Sequence, residues 1–261
     1  MGDPVLLTGA GGRVGQAILA DLGTEYDWRL LDREPLTSEQ LPRGVGSEDV
    51  VVADVTDSDD VREAMDGVGA VVHLAGDPRP EAPWGSVLRN NIDGTHNVFA
   101  AAVDAGVERV AFASSNHAVG AYEEDRKPEL YRAEDDFRLD GTELPRPSNL
   151  YGVSKATGET LGRYFHDHHD LSVVCVRIGN LTEGHPPRNY ERGQAMWLSY
   201  RDCAHLFDCC LTADYGYEIV YGISDNDRKY YSIDRAKEVL GYDPRGNSAE
   251  YNFDGTPKDE S

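Results

Sequence analysis

The sequence predicts an α/β fold in which a doubly wound parallel sheet carries helices on both faces, and three observations predict it. Apolar runs of strand length alternate with longer segments of helical period, the pattern of repeated βαβ units. The strand-length runs are unbroken rather than alternating, as strands buried on both faces require. Three glycines also stand at G-x-x-G-x-x-G spacing between the first apolar run and the first helical segment.

In chain order, PVLLT (4–8) reads as the first strand, GRVGQAILADL as the first helix and WRLLD (28–32) as the second strand. VVVAD (50–54), a helix through VREAMDG and AVVHLA (70–75) continue the alternation. A long helix near 86–106 then leads to RVAFAS (109–114), and a second long helix spans 149–167. SVVCVRI (172–178) and YEIVYGI (217–223) add two further strands. Segments 119–148 and 179–195 are irregular. We read one domain over 1–245, with a small C-terminal substrate-binding part made of segments about 179–215 and 224–245, followed by a polar tail over 246–261. No internal repeat is visible.

Composition narrows the function. The 261 residues carry a formal net charge of -22, and five of the 25 basic residues are lysine. Carboxylates are spread along the whole chain, so this is no acidic interaction tail. An acidic, arginine-biased surface suits a cytoplasm rich in salt, where screening has shortened the Debye length to about 3 Å at 1 M. That charge argues against a nucleic-acid partner. No apolar stretch approaches about 20 residues, which excludes a membrane-spanning helix on this reading. Cys175, Cys203, Cys209 and Cys210 lack C-x-x-C spacing and read as reduced thiols. The run HDHHD (166–170) falls where a helix should end, and reads as solvated capping residues rather than a metal site.

The glycine turn carries the first chemistry. Gly9, Gly12 and Gly15 permit a tight turn, let the backbone approach a pyrophosphate, and leave a helix N-terminus to face its charge. Asp32 stands at the end of the second strand, where an acid accepts hydrogen bonds from an adenosine ribose and repels a 2′-phosphate. NAD is therefore favoured over NADP, although Arg13 or Arg33 could each meet a phosphate. Asp54 and Val55, closing the third strand, are placed at the adenine. The domain is thus of the Rossmann type.

The second chemistry lies in SNLYGVSKATGE (148–159). Tyr151 and Lys155 are four residues apart on a helix, so the phenol and the ammonium share one face.

Together, the Gly9/Gly12/Gly15 turn, HLAG (73–76), SSNH (114–117) and YGVSK resemble the extended short-chain dehydrogenase/reductase family over nearly the whole chain. The resemblance implies that Leu74, Ala75 and Gly76 line the cofactor with Gly12, Arg13, Val14 and Ile178. It implies that Asn91 helps to hold the catalytic helix and a proton path beside the cofactor. Tyr151, as phenolate, would take the proton of a substrate hydroxyl while hydride leaves the same carbon for NAD. Lys155 would stabilise the phenolate, whose free pKa of about 10 is too high for pH 7. Ser115 would orient the reacting oxygen, with Ser114 its rival.

SSNHAVG, VRIGN and NYERGQAMWLSYRD resemble uronate dehydrogenases within that family, which oxidise the anomeric carbon of a sugar acid to a lactone. The charged stretch 122–146 and the loop EGHPPRNYERG (183–193) depart from that branch, and the whole chain with its acidic composition resembles dehydrogenases of glucose 6-phosphate, a resemblance that implies this sugar phosphate as substrate with a hexuronate as the alternative. Either substrate carries an anion remote from the anomeric carbon. Arg192 matches the arginine that grips the sugar carboxylate, and a guanidinium suits phosphate equally well. Arg188 and His185 are further donors on the same loop, and Asn116 and His117 are assigned to sugar hydroxyls. A cofactor-sensing regulator without turnover is the reading from another class, disfavoured by the intact Ser115, Tyr151 and Lys155 set. The two long helices resemble those that pair in family dimers, which implies a homodimer or a higher homo-oligomer.

Overall fold

In a computed structural model of the chain, residues 3–131, 135–188, 191–252 and 258 are described. The first half runs β1 (Val5–Thr8), α1 (Arg13–Leu22), β2 (Trp28–Asp32), β3 (Val50–Val52), α2 (Ser58–Ala64) and β4 (Ala70–His73). A short α3 (Trp84–Ser86), a π-helical segment (Val87–Asp93) and α4 (Gly94–Ala105) form the long helix expected near 86–106. Then follow β5 (Arg109–Ser115), a 3₁₀ turn (Asn116–Val119), α5 (Gly120–Glu124), α6 (Leu150–His169) and β6 (Ser172–Ile178). The remainder is β7 (Asn180–Thr182), α7 (Glu191–Ala195), β8 (Trp197–Ser199), α8 (Tyr200–Thr212), β9 (Tyr217–Gly222) and α9 (Asp234–Leu240).

Seven strands form one parallel sheet in the order β3-β2-β1-β4-β5-β6-β9, while β7 and β8 pair separately. Period-two alternation divides the core between the faces. Leu7, Leu30, Val72, Ala111 and Val174 face α1 and α8 with Ile18, Leu206 and Phe207. Leu6, Leu31, Val71, Phe112 and Cys175 face α2, α4 and α6 with Val61, Phe99 and Phe165. Both faces are covered, which explains why the strand sequences run apolar without alternation.

α8 and α9 revise the reading of the C-terminal part. Within the segments expected to bind substrate, α8 buries Cys203, Leu206, Phe207 and Cys210, and α9 buries Ala236 and Leu240, on the same side of the sheet as α1. Their apolar positions recur at helical spacing, so they complete the second layer of the fold. The polar segment from 246 is anchored. The Asp202 carboxylate accepts from the Arg245 and Gly246 N–H groups at 3.0 and 2.8 Å, and the Tyr251 ring packs edge-on against Trp197. Residues 253–257 and 259–261 of the expected tail lie outside the described residues.

All four cysteines are buried, unpaired thiols. α6 ends at the histidine run, with Asp170 left-handed at its C-cap, and no metal-binding cluster exists among the described residues. No helix among them is long and apolar enough to cross a membrane. The described parts of the charged stretch 122–146 pack onto a third cluster containing Leu130, Tyr131 and Leu139 with Tyr221, Tyr230 and Tyr231. Glu123 is buried within it.

Candidate active site

The carboxyl ends of the parallel strands open into a cleft of about 750 Å³ that crosses the switch point between β1 and β4. Of the residues assigned to the cofactor from the sequence, Gly9, Gly12, Arg13, Val14, Asp32, Asp54, Val55, Leu74, Ala75, Gly76 and Ile178 line it, and so do Ser115, Tyr151 and Lys155. Asn91, Asn116, His117, Arg188 and Arg192 are not among the lining residues.

The dinucleotide end is built by the glycine turn. Gly9 sits at φ +71°, and a Cβ there would lie 2.8 Å from the Ala75 backbone nitrogen, so the β1 turn presses against the strand end that follows β4. α1 starts after Gly12 with no side-chain cap, which leaves its first N–H groups for an anion. The Asp32 carboxylate accepts from the Gly11 N–H at 2.9 Å and is thereby fixed at the mouth of the turn. Arg33 lines the cleft beside it. Arg13 reaches across to the Leu181 carbonyl at 3.4 Å. These residues fit a bound NAD: a glycine cradle that side chains would fill, an uncapped helix N-terminus and a fixed acid at the end of β2.

The catalytic end is decided by hydrogen-bond bookkeeping at two serines. The Ser114 hydroxyl donates to the Glu159 carboxylate at 2.6 Å, which removes it from the cleft chemistry. The Ser115 oxygen accepts from the His117 N–H at 3.2 Å. With the Asn116 amide oriented so that its nitrogen donates to the Ile178 carbonyl and to Ser115 Oγ at 3.3 Å, its oxygen accepts from Arg192 at 2.8 Å. Two donors thus fill the Ser115 lone pairs, and its proton is left to donate. Burial pushes the Tyr151 phenol up to about 12, opposed by a hydrogen bond with Ser115. Burial lowers Lys155 to about 8, opposed by the Glu159 charge. The Lys155 ammonium lies 5.5 Å from the Tyr151 ring centroid.

α6 is held in place from its N-cap. The Asn149 side chain accepts from the Gly152 N–H at 2.7 Å and donates to His117 Nδ1 at 3.0 Å. Gly152 is required by close approach, because a Cβ would lie 2.2 Å from the His117 carbonyl oxygen. The His117 ring meets Tyr151 edge-on at 5.8 Å. Burial and the Arg192 charge lower its pKa, so it is neutral at pH 7. His73 of the HLAG motif is buried between Thr8 and Thr95 at 2.8 and 3.1 Å, a peg that ties β1 to α4.

Two expected placements differ. Asn91, expected to help hold the catalytic helix beside the cofactor, does bond to that helix but does not line the cleft, and lies buried in the π-helical segment. Its amide accepts from the Asp77 N–H at 2.6 Å and donates to Ser154 Oγ at 3.0 Å, so it ties the loop after β4 to α6. Its neighbour Asn90 lines the cleft. Arg192 is paired through Nε with the buried Glu123, which also accepts from the Tyr230 hydroxyl at 3.0 Å. On the same loop Arg188 is exposed, and His185 bonds the adjacent Pro186 carbonyl at 2.9 Å.

Sequence reasoning overlooked Gly11, Leu36, Gln40, Asp77 and Arg79, all of which line the cleft. The signal available for the last two was the string DPRP directly after HLAG, an ion pair stiffened by two prolines.

A family model for the NAD dependent epimerase/dehydratase family matches residues 5–206. The chain belongs to that family. Among family members, an NAD-dependent glucose-6-phosphate dehydrogenase from Haloferax volcanii is 76% identical over 262 residues, covering all of both chains. A uronate dehydrogenase from Pseudomonas syringae is 33% identical over 94% of this chain and 82% of its own. The solved structure of a uronate dehydrogenase variant from Agrobacterium tumefaciens, complexed with NAD, superposes with a TM-score of 0.81 at 31% identity, covering 94% of this chain and 86% of that one.

Proposed function

We infer that the chain is an NAD-dependent glucose-6-phosphate dehydrogenase that oxidises the anomeric carbon of glucose 6-phosphate to 6-phosphoglucono-lactone, the entry reaction of an oxidative pentose phosphate route. The observation that carries this reading is the 76% identity, over the full length of both chains, to the Haloferax volcanii enzyme of that name. Uronate dehydrogenases stand at about half that identity.

The residues of the cleft supply the steps. Ser115 donates its remaining proton to the anomeric oxygen and orients it toward Tyr151. Tyr151, as phenolate, takes the anomeric hydroxyl proton, and Lys155 stabilises the phenolate by its charge. The glycine turn and Asp32 would hold NAD, which when bound would supply the hydride acceptor, so that the C–H and O–H bonds of the anomeric centre both break as the lactone carbonyl forms. His117 and Asn149 hold the start of α6, and with it the phenol. Asn116, itself held by Arg192, supports Ser115 from behind the cleft wall. The enzyme acts in the cytoplasm as a homo-oligomer, a reading supported by the large exposed side chains of Trp84, Leu150 and Tyr164 on the two long helices.

NADH formation in about 2 M KCl, a salt level at which surface charge is screened, tests the reading with glucose 6-phosphate, glucose, glucuronate and galacturonate, each with NAD and NADP. Turnover of glucose 6-phosphate with NAD is expected. Turnover of the uronates alone would replace it with the uronate dehydrogenase reading.

A further inference from the structure

We propose that Arg79, clamped by Asp77 on the loop after β4, is the residue that takes the phosphate of the substrate. The inference rests on the sugar-phosphate reading above and names the group that recognises its anion.

The geometry sets Arg79 apart from every other cation of the cleft. Arg33 stands at the end of β2, beside the acid that faces the ribose end. Arg13 is drawn across to the Leu181 carbonyl. Lys155 is buried next to Tyr151. Arg192 does not line the cleft. Arg79 lines the same cleft as Ser115 and Tyr151, with its side chain 58% exposed.

Arg79 is also pre-oriented. Asp77 Oδ1 accepts from Arg79 Nε at 2.9 Å and from its backbone N–H at 3.2 Å. Asp77 Oδ2 accepts from Arg79 Nη2 at 2.6 Å and from Ser86 Oγ at 2.6 Å. Asp77 is in turn pinned through its own N–H by Asn91. The bidentate grip occupies the Nε/Nη2 edge of the guanidinium, which leaves the Nη1/Nη2 edge as a planar fork of two N–H donors, the geometry that matches two phosphate oxygens. Pro78 and Pro80 fix the backbone on either side, so little freedom is lost when the fork is filled. Asn91, which pins Asp77, also donates to Ser154 Oγ on α6 at 3.0 Å, one residue from Lys155, which places the clamp at the catalytic end of the cleft.

The test compares wild type with Arg79→Gln and Arg79→Lys on glucose 6-phosphate and on glucose, with NAD affinity measured separately by titration. The phosphate clamp predicts that Arg79→Gln raises KM for glucose 6-phosphate roughly tenfold to a hundredfold, the range for a hydrogen-bonded charge. It predicts unchanged kcat/KM on glucose and unchanged NAD affinity, with Arg79→Lys recovering part of the loss. A wild-type KM for glucose 6-phosphate in Arg79→Gln overturns the inference, as does an equal loss on both sugars or a loss of NAD affinity. Wild-type protein that fails to oxidise glucose 6-phosphate overturns the functional reading itself, and is seen before any variant is compared.

Discussion

Glu159 holds Arg177 bidentately along one edge of its guanidinium, Oε1 to Nε at 2.8 Å and Oε2 to Nη2 at 3.0 Å, with the arginine side chain fully buried. Glu159 lies one helical turn beyond Lys155 on α6, and Arg177 sits on β6, so the pair fastens the catalytic helix to the sheet. Ser114 donates to the same carboxylate, which fixes the end of β5 from which Ser115 projects. Glu143 and the Tyr221 hydroxyl complete the shell around Arg177. Three elements that carry catalytic side chains or their neighbours thus meet at one buried ion pair.

Glu159→Gln is therefore expected to lower stability sharply. Breaking a buried pair by removing one charge costs about 3–5 kcal/mol, and the remaining contact with Glu143 sets the loss near the lower end. Urea unfolding in high salt checks it, read as a fall in midpoint at constant slope. A loss under about 1 kcal/mol, the size seen for surface pairs, would show that the pair does not fasten the fold.

Lys155 supplies a pH dependence with a definite sign. Its folded pKa is lowered from 10.5 to about 8 by burial. Below pH 8 both states are protonated, and the folded state carries the full cost of a buried ammonium. Between about 8 and 10.5 the unfolded chain binds more protons, so this contribution to stability rises with pH and the cost is gone above 10.5. Lys155→Met, which has no such cost, should gain stability over wild type most strongly at pH 7, and the gap should narrow by pH 10. Tyr151, with its pKa raised, adds an opposing loss only above pH 10. Denaturation midpoints of both proteins from pH 7 to 10 decide it, and a gap that is constant across that range would refute it.

How far the site could be read in advance follows from how local its signals are. Gly9, Gly12, Gly15 and Asp32 belong to one βαβ unit, and Tyr151 and Lys155 to one helical turn, so spacing alone brings each set together. Ser115 could not be separated from Ser114 in that way, because the partner that withdraws Ser114 is Glu159, 45 residues on. Arg192 is assigned to the sugar anion by its match to the arginine of uronate dehydrogenases, but the Glu123 that pairs with it is 69 residues away, and nothing near Arg192 announces the pairing. Asn91 turned inward for the same reason, toward Asp77 and Ser154. α8 went unread as a packing helix because Cys203, Leu206, Phe207 and Cys210 are interleaved with Asp202, His205 and Asp208. The seven strands of the central sheet were legible, since both of its faces are covered, whereas the short β7 and β8, which pair outside it, were not.

Asp32 should set the choice of cofactor. Its carboxylate is fixed by the Gly11 N–H at 2.9 Å at the place where a 2′-phosphate would enter, and Arg33 lines the cleft next to it. Replacing the acid removes the repulsion and leaves the arginine. Asp32→Ser is expected to raise kcat/KM with NADP and lower it with NAD, moving the ratio by roughly a hundredfold, two interactions of about 1.4 kcal/mol each. Initial rates with both cofactors measure it. An unchanged ratio would mean that Arg13 or Arg33 governs the choice.

The two serines and the tyrosine separate chemistry from structure. Tyr151→Phe removes the proton acceptor, and kcat should fall by about 10²–10⁴, the range for general acid–base catalysis, with NAD binding retained. Ser115→Ala removes a hydroxyl whose lone pairs are already filled by His117 and Asn116, so what is lost is the proton it donates to the reacting oxygen. That loss belongs to kcat more than to KM, because the hydrogen bond strengthens as charge develops on that oxygen. Ser114→Ala leaves Glu159 with Arg177 as its partner, and the hydroxyl it removes, although Ser114 lines the cleft, is already committed to Glu159. It should cost about 1 kcal/mol of stability and leave kcat near wild type. The contrast between the serine variants carries the argument: if Ser114→Ala lost kcat and Ser115→Ala kept it, the hydrogen-bond assignment at the end of β5 would have to be reversed.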